Sequence, residues 1–541
     1  MKKIILFLSV FFACVVLVAQ EVRPVRNLIV MIPDGTSASV YSAARWFKIF
    51  NGMGTSLNVD PFLSGTVTVS NSNTPVADSA SAAGAFATGV LSQAGNVAIH
   101  PPASEYDMFP VDASRAYQPA ATILEAARIK RGMATGMVVT CEFTHATPAA
   151  FAAHHYSRGN SGAIAPQIAH QNLDVMFGGG NGFLTDEIKQ HFRNNGTTLI
   201  QNDRAAMLNY TGNRVWALFG SRALPYDIDR NPDLVPSLAE MTAKAIEILS
   251  KHENGFFLMV EGSQIDWAAH ANDPVAIITE FLAFDKAVGV AMDFAKEDRN
   301  TAVVIVSDHG NSGFSIGTDR CPGHRSLPLG GLFGTISQIR RTASGMGALL
   351  ARAEPEDFRA IFKRYTNIDL TDDEVQSLLA SSNFRGGTYL GESNGRSLSR
   401  NVVNIYNAHT CFGFTSGGHT GEEVLLASFH PQGDRLGGHV MSTQVNTYFQ
   451  QVLGLEVSLQ ELSDKIFVKH TYVFSGLHTT INYDNPDFPI LIVREGRNTL
   501  QIPAFSSVGI FNGQSFDIGS VAVYMSRTGL FYLPKRLREK F

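Results

Sequence analysis

Short apolar segments alternate with amphipathic segments from about Arg26 to Phe429, and this alternation restricts the fold more than any other feature. The apolar runs have the length of buried strands and occupy Leu28–Ile32, Met133–Val139, Phe256–Val260 and Val303–Val306. The segment from Asp273 to about Lys296 repeats its apolar residues at the three-and-four spacing of a helix. The sequence therefore predicts an α/β fold, with a mostly parallel central sheet that is flanked by helices on both faces.

The alternation stops between about Gly317 and Thr410. This stretch is rich in Gly, Ser and Arg and contains one helical segment, around Glu356 to Tyr365. We therefore expect an inserted region, at about 317–410, that lies on the core and rims a site or an interface.

The composition changes again near the C-terminus. After a helix-like stretch from Ser442 to Leu453, short strand-like runs with Gly, Asn and Pro turns extend from about Ile466 to Phe541. We predict a main domain over residues 20–465 and a small β-rich accessory region over residues 466–541.

Charge and composition exclude two classes of protein. The chain of 541 residues has 43 Lys and Arg against 48 Asp and Glu, a net charge of −5, and 45% of its residues are hydrophobic. A disordered chain would have less apolar content and more net charge. A nucleic-acid-binding protein would show a basic excess, and we interpret the single basic cluster, Lys535 to Arg538, as a solvated chain end. We expect no nucleic acid as a specific partner.

The first residues have the layout of a secretory signal peptide. Lys2 and Lys3 precede an apolar run from Ile4 to Val18, and cleavage is expected after Ala19. The run is shorter than the roughly 20 residues that span a bilayer, so we expect no stable membrane span. Cys14 suggests a lipoprotein anchor, but the residues before it fit that signal poorly. The sequence favours a periplasmic or secreted protein.

Three cysteines remain after the leader, namely Cys141, Cys321 and Cys411. At most one disulfide can form among them, and no two have metal-binding CxxC spacing. We expect a fold that does not depend on disulfides.

Acidic residues and histidines follow three of the predicted strands. Asp34 closes the first, Glu261 the third, and Asp308 and His309 the fourth. Ligands bind beyond the carboxyl ends of the strands in open α/β sheets, so these groups can converge there. Imidazole and carboxylate together are typical zinc ligands, whereas oxygen ligands alone suit magnesium.

The spacing within these motifs is informative. Asp266 and His270 are four residues apart, so one helical turn presents both to a single ion. Asp308 and His309 are adjacent, so only a turn at the strand end lets both bind one ion. His419 lies between glycines that allow close approach of the backbone. Any one motif alone would be read as a capped strand end or a surface ion pair; three such motifs favour a metal centre.

Ser79 is the candidate nucleophile. It opens a helix of small residues, where the positive field of the N-terminus favours phosphate. Serine needs a base or a metal ion to become a good nucleophile. The alternative is an ordinary helix cap made by Asp78 or Ser79. No Gly-x-Ser-x-Gly sequence supports a lipase-type elbow.

Arg158 is the candidate phosphate ligand. It follows His145 and Thr147 across an Ala-rich segment, Pro148 to His155, that is predicted to be helical. An arginine can grip two phosphate oxygens in a forked pair. Considered alone, Arg158 would be read as a surface ion-pair residue.

Together these motifs, over roughly Asn27 to Leu455 and in the same order, resemble the alkaline phosphatase family. The resemblance implies hydrolysis of small phosphate monoesters through a phosphoserine on Ser79. Arg158, oriented by Asp78, would clamp the phosphoryl oxygens. The resemblance also implies that the insertion is crown-like and that the enzyme is a homodimer.

The resemblance further implies two zinc ions and one magnesium ion. One zinc ion would be held by Asp266, His270 and His419. The second would be held by Asp34, Asp308 and His309 and would activate Ser79. The third site would use Asp34, Thr147 and Glu261, with His145 nearby.

Two positions depart from the best-studied bacterial pattern, which has Asp at His145 and Lys at Trp267. A histidine near the third site could recruit a softer ion, such as zinc or cobalt, in place of magnesium. The missing lysine removes a positive charge near the phosphate, so weaker phosphate binding is expected.

Two alternatives stay open. The first is a phosphodiesterase or sulfatase of the same metalloenzyme superfamily. However, the nearest sulfatase-like string, Cys321 to Arg325, has its proline one place early. The second is a non-catalytic secreted metal-binding protein, which the intact set of expected ligands argues against.

Overall fold

A computed structural model describes residues 22–382 and 398–541. The predicted signal peptide and Cys14 lie outside the described residues. The strands of the described part are β1 (Asn27–Pro33), β2 (Leu63–Thr68), β3 (Ala134–Glu142), β4 (Val175–Gly179), β5 (Thr198–Gln201), β6 (Val215–Leu218), β7 (Phe256–Gly262), β8 (Thr301–Val306), β9 (Gly310–Asn311), β10 (Ser315–Ile316), β11 (Phe412–Gly413), β12 (His419–Thr420), β13 (Val424–Phe429), β14 (Gly438–Met441), β15 (Val468–Lys469), β16 (His478–Asn482), β17 (Ile490–Glu495), β18 (Asn498–Pro503), β19 (Val508–Phe511), β20 (Gln514–Asp517), β21 (Val523–Met525) and β22 (Leu530–Leu533).

The α-helices of the same residues cover both faces of the main sheet and fill the insertion. They are α1 (Ala38–Phe50), α2 (Ser79–Thr88), α3 (Ile123–Arg131), α4 (Ala146–Ala152), α5 (Ser161–His170), α6 (Asp186–Asn195), α7 (Arg204–Leu208), α8 (Leu238–Leu249), α9 (Gln264–His270), α10 (Pro274–Asp298), α11 (Leu329–Gln338), α12 (Ala343–Leu350), α13 (Phe358–Thr366), α14 (Asp372–Ser382), α15 (Leu398–His409), α16 (Ser442–Val452), α17 (Leu459–Ile466) and α18 (His470–Val473).

The central sheet has ten strands in the order β14-β2-β13-β8-β1-β7-β3-β4-β6-β5. Every neighbouring pair is parallel except those of β13, which runs antiparallel to β2 and β8. The predicted mostly parallel sheet is therefore confirmed.

Alternate residues of the central strands enter two different cores. In β1, Ile29 and Met31 point into one core, and Leu28, Val30 and Ile32 point into the other. Helices α1, α8 and α10 contribute to the first core, and α2, α3 and α4 to the second. Because both faces are buried, the strands are continuously apolar rather than alternating, which is why they were recognisable in the sequence.

The predicted helices at Asp273 and Ser442 are present as α10 and α16. Asp273 caps α10 by accepting hydrogen bonds from the backbone of Val275 and Ala276. The helix predicted over Pro148–His155 was placed too late along the chain. It occupies Ala146–Ala152, and His155 instead forms a β-bridge with Val97.

The prediction of one helix within the insertion was wrong. Besides α13, which lies close to the predicted segment, the described part of this region holds α11, α12, α14 and α15. Helices α11 and α12 contain Gly330, Gly331 and Gly345, which disfavour a helix in isolation. Burial of apolar side chains against the core supplies the stability that propensity lacks, through Phe333, Ile336 and Met346.

The C-terminal segment adds further strands. A five-stranded antiparallel sheet runs in the order β16 to β20, and β15, β22 and β21 form a second sheet. A third core includes Leu491, Val493 and Leu500 of this segment together with Ala163 of α5. The domain boundary at residue 466 stays a prediction.

One disulfide, Cys321–Cys411, joins the two ends of the insertion, and Cys141 is free and buried. Among the described residues, no helix combines the length and apolar character that crossing a membrane requires.

Candidate active site and metal centre

Three neighbouring strands, in the order β8-β1-β7, deliver the candidate ligands to one edge of the central sheet. Asp34 directly follows β1, and Glu261 is the penultimate residue of β7, where it pairs with Ile32. Gly35 has a φ of +63°, and a Cβ there would lie 2.5 Å from Asp266 Oδ1. Only glycine allows the chain to turn this closely past Asp266.

The first group of ligand atoms lies where α9 meets the start of β12. Asp266 Oδ1 is 3.7 Å from His419 Nε2, and Asp266 Oδ2 is 3.5 Å from His270 Nε2. The two histidines place their Nε2 atoms 3.1 Å apart. One helical turn of α9 thus brings Asp266 and His270 together, as their spacing indicated.

The second group follows β1 and β8. His309 Nε2 lies 3.5 Å from Asp34 Oδ1 and 3.4 Å from Asp308 Oδ2. Both Asp308 and His309 lie beyond the last residue of β8, so a turn directs their side chains to the same point. His309 also stacks on His419 at 3.6 Å between ring centroids, so the two groups adjoin.

Each of three histidines is oriented by a backbone carbonyl. Nδ1 of His270, His309 and His419 lies 2.7–3.1 Å from the carbonyl oxygens of Gly417, Gly310 and Ala77, respectively. A carbonyl oxygen can only accept, so Nδ1 carries the proton and Nε2 presents a lone pair. Metal-binding histidines are commonly oriented in this way.

The observed separations fit tetrahedral coordination. Bonds of about 2.0–2.2 Å from zinc to nitrogen or oxygen place neighbouring ligand atoms about 3.3–3.6 Å apart. Moreover, both oxygens of Asp34, Oδ2 of Asp308 and Oε1 of Glu261 are buried without a hydrogen-bond partner. Buried carboxylates without partners are costly, and divalent cations would satisfy them. The residues present therefore fit a divalent metal centre.

The electrostatics of the carboxylates indicate the same need for cations. Burial, together with the charge of Asp308, raises the pKa of Glu261 to about 8. Burial and the charges of Asp308, Asp266 and Glu261 raise the pKa of Asp34 well above its usual value. Burial also acts to raise the pKa of Asp266, but the histidines outweigh it and the pKa is lowered. Without cations, these groups resist being ionised together.

A third group surrounds Glu261. Ligand atoms of Cys141, His145 and Glu261 all lie within 4.8 Å of one another. Thr147, in the first turn of α4, keeps Oγ1 buried and without a hydrogen-bond partner. Burial and the charge of Arg158 lower the pKa of His145 to about 4, so its ring is neutral near neutral pH.

Ser79 opens α2, as the sequence predicted, and is buried at the edge of the second group. Its Oγ lies 3.0 Å from His309 Nε2. The cap of α2 is Asp78, whose carboxylate accepts from the backbone of Ala80. The hydroxyl of Ser79 is therefore free of capping and faces the candidate ligands.

Asp78 also orients Arg158. Arg158 Nη1 donates to Asp78 Oδ1 at 2.6 Å, while Asp78 Oδ2 accepts from the backbone of Gly95. Burial acts to raise the pKa of Asp78, but Arg158 and the backbone hydrogen bonds outweigh it and the pKa is lowered. The ionised pair fixes the guanidinium beside His145, whose Nε2 lies 3.3 Å from Arg158 Nη2.

Trp267 packs edge-on against His145, with 5.5 Å between ring centroids. The uncharged indole therefore packs against the same His145 ring that contacts Arg158 Nη2.

The structure brings together a buried serine, an oriented arginine and three groups of metal-type ligands. Comparison with known proteins identifies the family of the chain that carries them. The family model of the alkaline phosphatases matches residues 25–455. The chain belongs to the alkaline phosphatase family.

Relatives from bacteria support this assignment. Alkaline phosphatase 3 of Bacillus subtilis is 34% identical over 439 residues, which cover 78% of this chain and 87% of the relative. Alkaline phosphatase 4 of the same organism is 31% identical and covers 80% and 89% of the two chains. The crystal structure of a cold-active alkaline phosphatase from a psychrophilic Shewanella species superposes with a TM-score of 0.69. It has 28% identity and covers 79% of this chain and 99% of that one. The chain is a phosphatase.

Two residues that contact the candidate ligands were missed in the sequence. Asn311 donates from Nδ2 to Asp266 Oδ1 at 2.7 Å and so fixes the carboxylate. Cys141 joins Glu261 and His145. Asn311 lies two residues after His309, which was a usable signal. Cys141 lies in β3, and only its pairing with β7 brings it near Glu261.

Proposed function

We propose that the enzyme hydrolyses phosphate monoesters of small molecules through a phosphoserine on Ser79. The reaction would take place at a centre of two zinc ions and a third divalent ion. The third ion would be magnesium or a softer divalent ion. The observation that carries this proposal is the position of Ser79 Oγ, 3.0 Å from His309 Nε2 and beside carboxylates that lack other partners.

The ligand assignment follows the groups described above. Asp266, His270 and His419 would hold one zinc ion, and Asp34, Asp308 and His309 the second. Asp34, Thr147 and Glu261, with His145 adjacent, would hold the third ion. When bound, the ions would neutralise charge on the attacking and leaving oxygens and favour ionisation of the serine hydroxyl and of water.

The protein side chains carry the displacement steps. Ser79 loses its proton to solvent, its Oγ forms a bond to phosphorus, and the bond to the ester oxygen breaks as the alcohol leaves and takes a proton. Water then attacks phosphorus, the Oγ–phosphorus bond breaks, and Ser79 regains a proton. Phosphoryl transfer depends mainly on such positioning and on charge neutralisation.

Arg158 would bind two non-bridging phosphoryl oxygens. Asp78 holds its guanidinium through Nη1, which leaves other donors to face the substrate. A monoester has three non-bridging oxygens and a diester has two. After Arg158 has bound two of them, only a monoester keeps a third for the metal ions, so we expect monoesters to be preferred.

Ser79→Ala tests the nucleophile. The variant should lose at least about a thousandfold in kcat, because a covalent route would be removed while binding remained. Ser64 is the second residue of β2, and Ser64→Ala is the matched control, which should keep wild-type activity. Near-normal turnover in Ser79→Ala would defeat the assignment, as would failure to trap phosphate on Ser79 by rapid acid quench and mass spectrometry.

A substrate panel separates the proposed activity from its alternatives. An aryl phosphate should be hydrolysed much faster than a bis-aryl phosphate or an aryl sulfate, and a chelator should abolish the activity. Faster turnover of the diester or the sulfate would favour the other branches of the superfamily. Cys321 is unsuited as a sulfatase nucleophile because it is bonded to Cys411.

The enzyme is proposed to be exported after removal of residues 1–19, to the periplasm or the medium, and to work as a homodimer. Mass spectrometry of the exported enzyme should find Gln20 as its first residue. An intact leader or a lipid on Cys14 would contradict this location. Light scattering of the purified enzyme would test the dimer, and a monomeric mass would refute it.

A further inference from the structure

Cys141 is a buried thiol that the phosphoryl-transfer scheme leaves unused. It lies near the end of β3 and is fully buried, and among the described cysteines it alone is not in a disulfide. The backbone N–H of Cys141 contacts Ser263 Oγ, just after β7, and this contact keeps the thiol next to Glu261.

The thiol touches a group that needs a cation. Cys141 Sγ lies 3.6 Å from Glu261 Oε2, while Glu261 Oε1 is buried without a partner. One weak S–H donor can serve only one carboxylate oxygen, so a thiol–carboxylate hydrogen bond leaves Oε1 unsatisfied. His145 offers a third ligand atom within 4.8 Å of both.

The separation also fits shared coordination. Zinc binds thiolate sulfur at about 2.3 Å and carboxylate oxygen at about 2.1 Å, and a tetrahedral angle then separates the two atoms by about 3.6 Å. This equals the observed distance between Cys141 Sγ and Glu261 Oε2.

We propose that Cys141 is a thiolate ligand of the third ion, which it shares with Glu261, and that this site selects zinc or cobalt over magnesium. The inference rests on the proposed function only in taking Glu261 to hold an ion. A sulfur–metal bond forms, the thiol proton passes to solvent, and no electrons are transferred.

The preference of this site for zinc or cobalt over magnesium follows from the chemical type of its ligands. Thiolate is a soft ligand that suits zinc and related ions, whereas magnesium requires oxygen ligands in near-octahedral geometry. A sulfur within reach of Glu261 therefore disfavours the magnesium that oxygen ligands alone would select.

Cobalt substitution tests the proposal without an activity assay. The enzyme lacking residues 1–19 is stripped with a chelator and titrated with Co²⁺. The wild type should show a thiolate-to-cobalt charge-transfer band in the near ultraviolet at the third equivalent. Cys141→Ala and Cys141→Ser should lose this band while keeping the visible cobalt absorption of the other sites.

The matched control is the double variant Cys321→Ser/Cys411→Ser, which should keep the band because those sulfurs are not thiols in the wild type. In dialysis against zinc with excess magnesium, Cys141→Ala should lose at least about tenfold in the zinc preference of the third equivalent. Thermal unfolding of the variants confirms that they are folded.

The outcomes separate this inference from the proposed function. Visible cobalt absorption without the charge-transfer band in the wild type would overturn the inference alone, as would a band that persists in Cys141→Ala. No cobalt binding at all would overturn the proposed metal centre and this inference together.

Discussion

Under the proposed function, individual side chains would decide how tightly phosphate is held. Arg158 and Asp78 supply one oriented guanidinium, whereas Trp267 places an uncharged ring against His145. In the proposed function, the bound phosphate would therefore contact one fixed cationic side chain rather than two. Product release is expected to be fast for this reason.

Trp267→Lys should strengthen inhibition by inorganic phosphate by about tenfold. A hydrogen bond to a charged group contributes about 1.5–3 kcal/mol, and 1.4 kcal/mol is a factor of ten. The inhibition constant in steady-state assays is the measurement. Trp267→Met removes the ring without adding a charge and should leave that constant within about twofold; an unchanged constant in the lysine variant would contradict the prediction.

Sequence reasoning reached most of these side chains because their motifs are local. Asp266 and His270 share one helical turn, and Asp308 and His309 share one strand end. Cys141 has no such signal, since its neighbours in the sequence say nothing about the residue on the adjacent strand.

At the scale of elements, the insertion is closed by a disulfide and filled by helices that local propensity disfavours. Cys321 and Cys411 are 90 residues apart in sequence. A cross-link over a long segment restricts the unfolded chain strongly, so it stabilises the insertion more than its Gly-rich helices would indicate.

The double variant Cys321→Ser/Cys411→Ser should lower the free energy of unfolding by about 2–4 kcal/mol. Denaturant unfolding under non-reducing conditions measures this change. Reductant should destabilise the wild type by a similar amount and leave the double variant unaffected; equal stability of both proteins without reductant would refute the prediction.

A second element contact joins α5 to the C-terminal sheet. The backbone N–H of Ser507 donates to His170 Nδ1 at 3.1 Å, and the His170 ring lies 3.8 Å from that of His191. Burial and the charge of His191 lower the pKa of His170 to about 3. Protonation of Nδ1 would remove the acceptor and place a cation against the His191 ring.

This contact should lower the free energy of unfolding of the protein as the pH becomes acidic. The unfolded chain takes up a proton on His170 below about pH 6.5, but the folded chain does not until about pH 3, so folding free energy is lost as the pH falls through that range. His170→Gln should reduce the loss between pH 7 and pH 5 by about 1–2 kcal/mol. His439→Gln, an exposed control, should not change it; an unaltered slope in His170→Gln would contradict the prediction.

The helices of the insertion show where prediction from local pattern stops. Helix α13, which begins at Phe358, lies close to the one helix predicted in this region. Helices α11 and α12 were missed because glycines interrupt the pattern and tertiary burial decides the conformation.

At the scale of the whole molecule, one edge of a ten-stranded sheet gathers four buried carboxylates, Asp34, Glu261, Asp266 and Asp308. The net charge of the whole chain, −5, does not reveal that four carboxylates are concentrated at one edge of the sheet. We therefore expect the stability of the fold to depend on cations at this edge.

Chelation should lower the unfolding temperature, because ions that bind only the folded state stabilise it. This decrease in unfolding temperature should grow as the pH rises from about 5 to 8. The pKa of Glu261 is about 8 in the ion-free fold but near 4.3 in an unfolded chain. Ionisation of Glu261 in this pH range is therefore unfavourable only in the ion-free fold and destabilises it. Calorimetry with and without zinc add-back measures this. A chelated enzyme as stable as the loaded one at pH 8 would refute it.

The sequence by itself determined the α/β class, the order of the motifs and the residue types that each strand end presents, because these depend on local periodicity and short spacings. Tertiary structure alone decided which groups meet. The pairing of β3 with β7 brings Cys141 to Glu261, and burial turns Gly-rich segments of the insertion into helices. Both are long-range contacts, whose free energy comes from residues far apart in the chain and leaves no trace in local pattern.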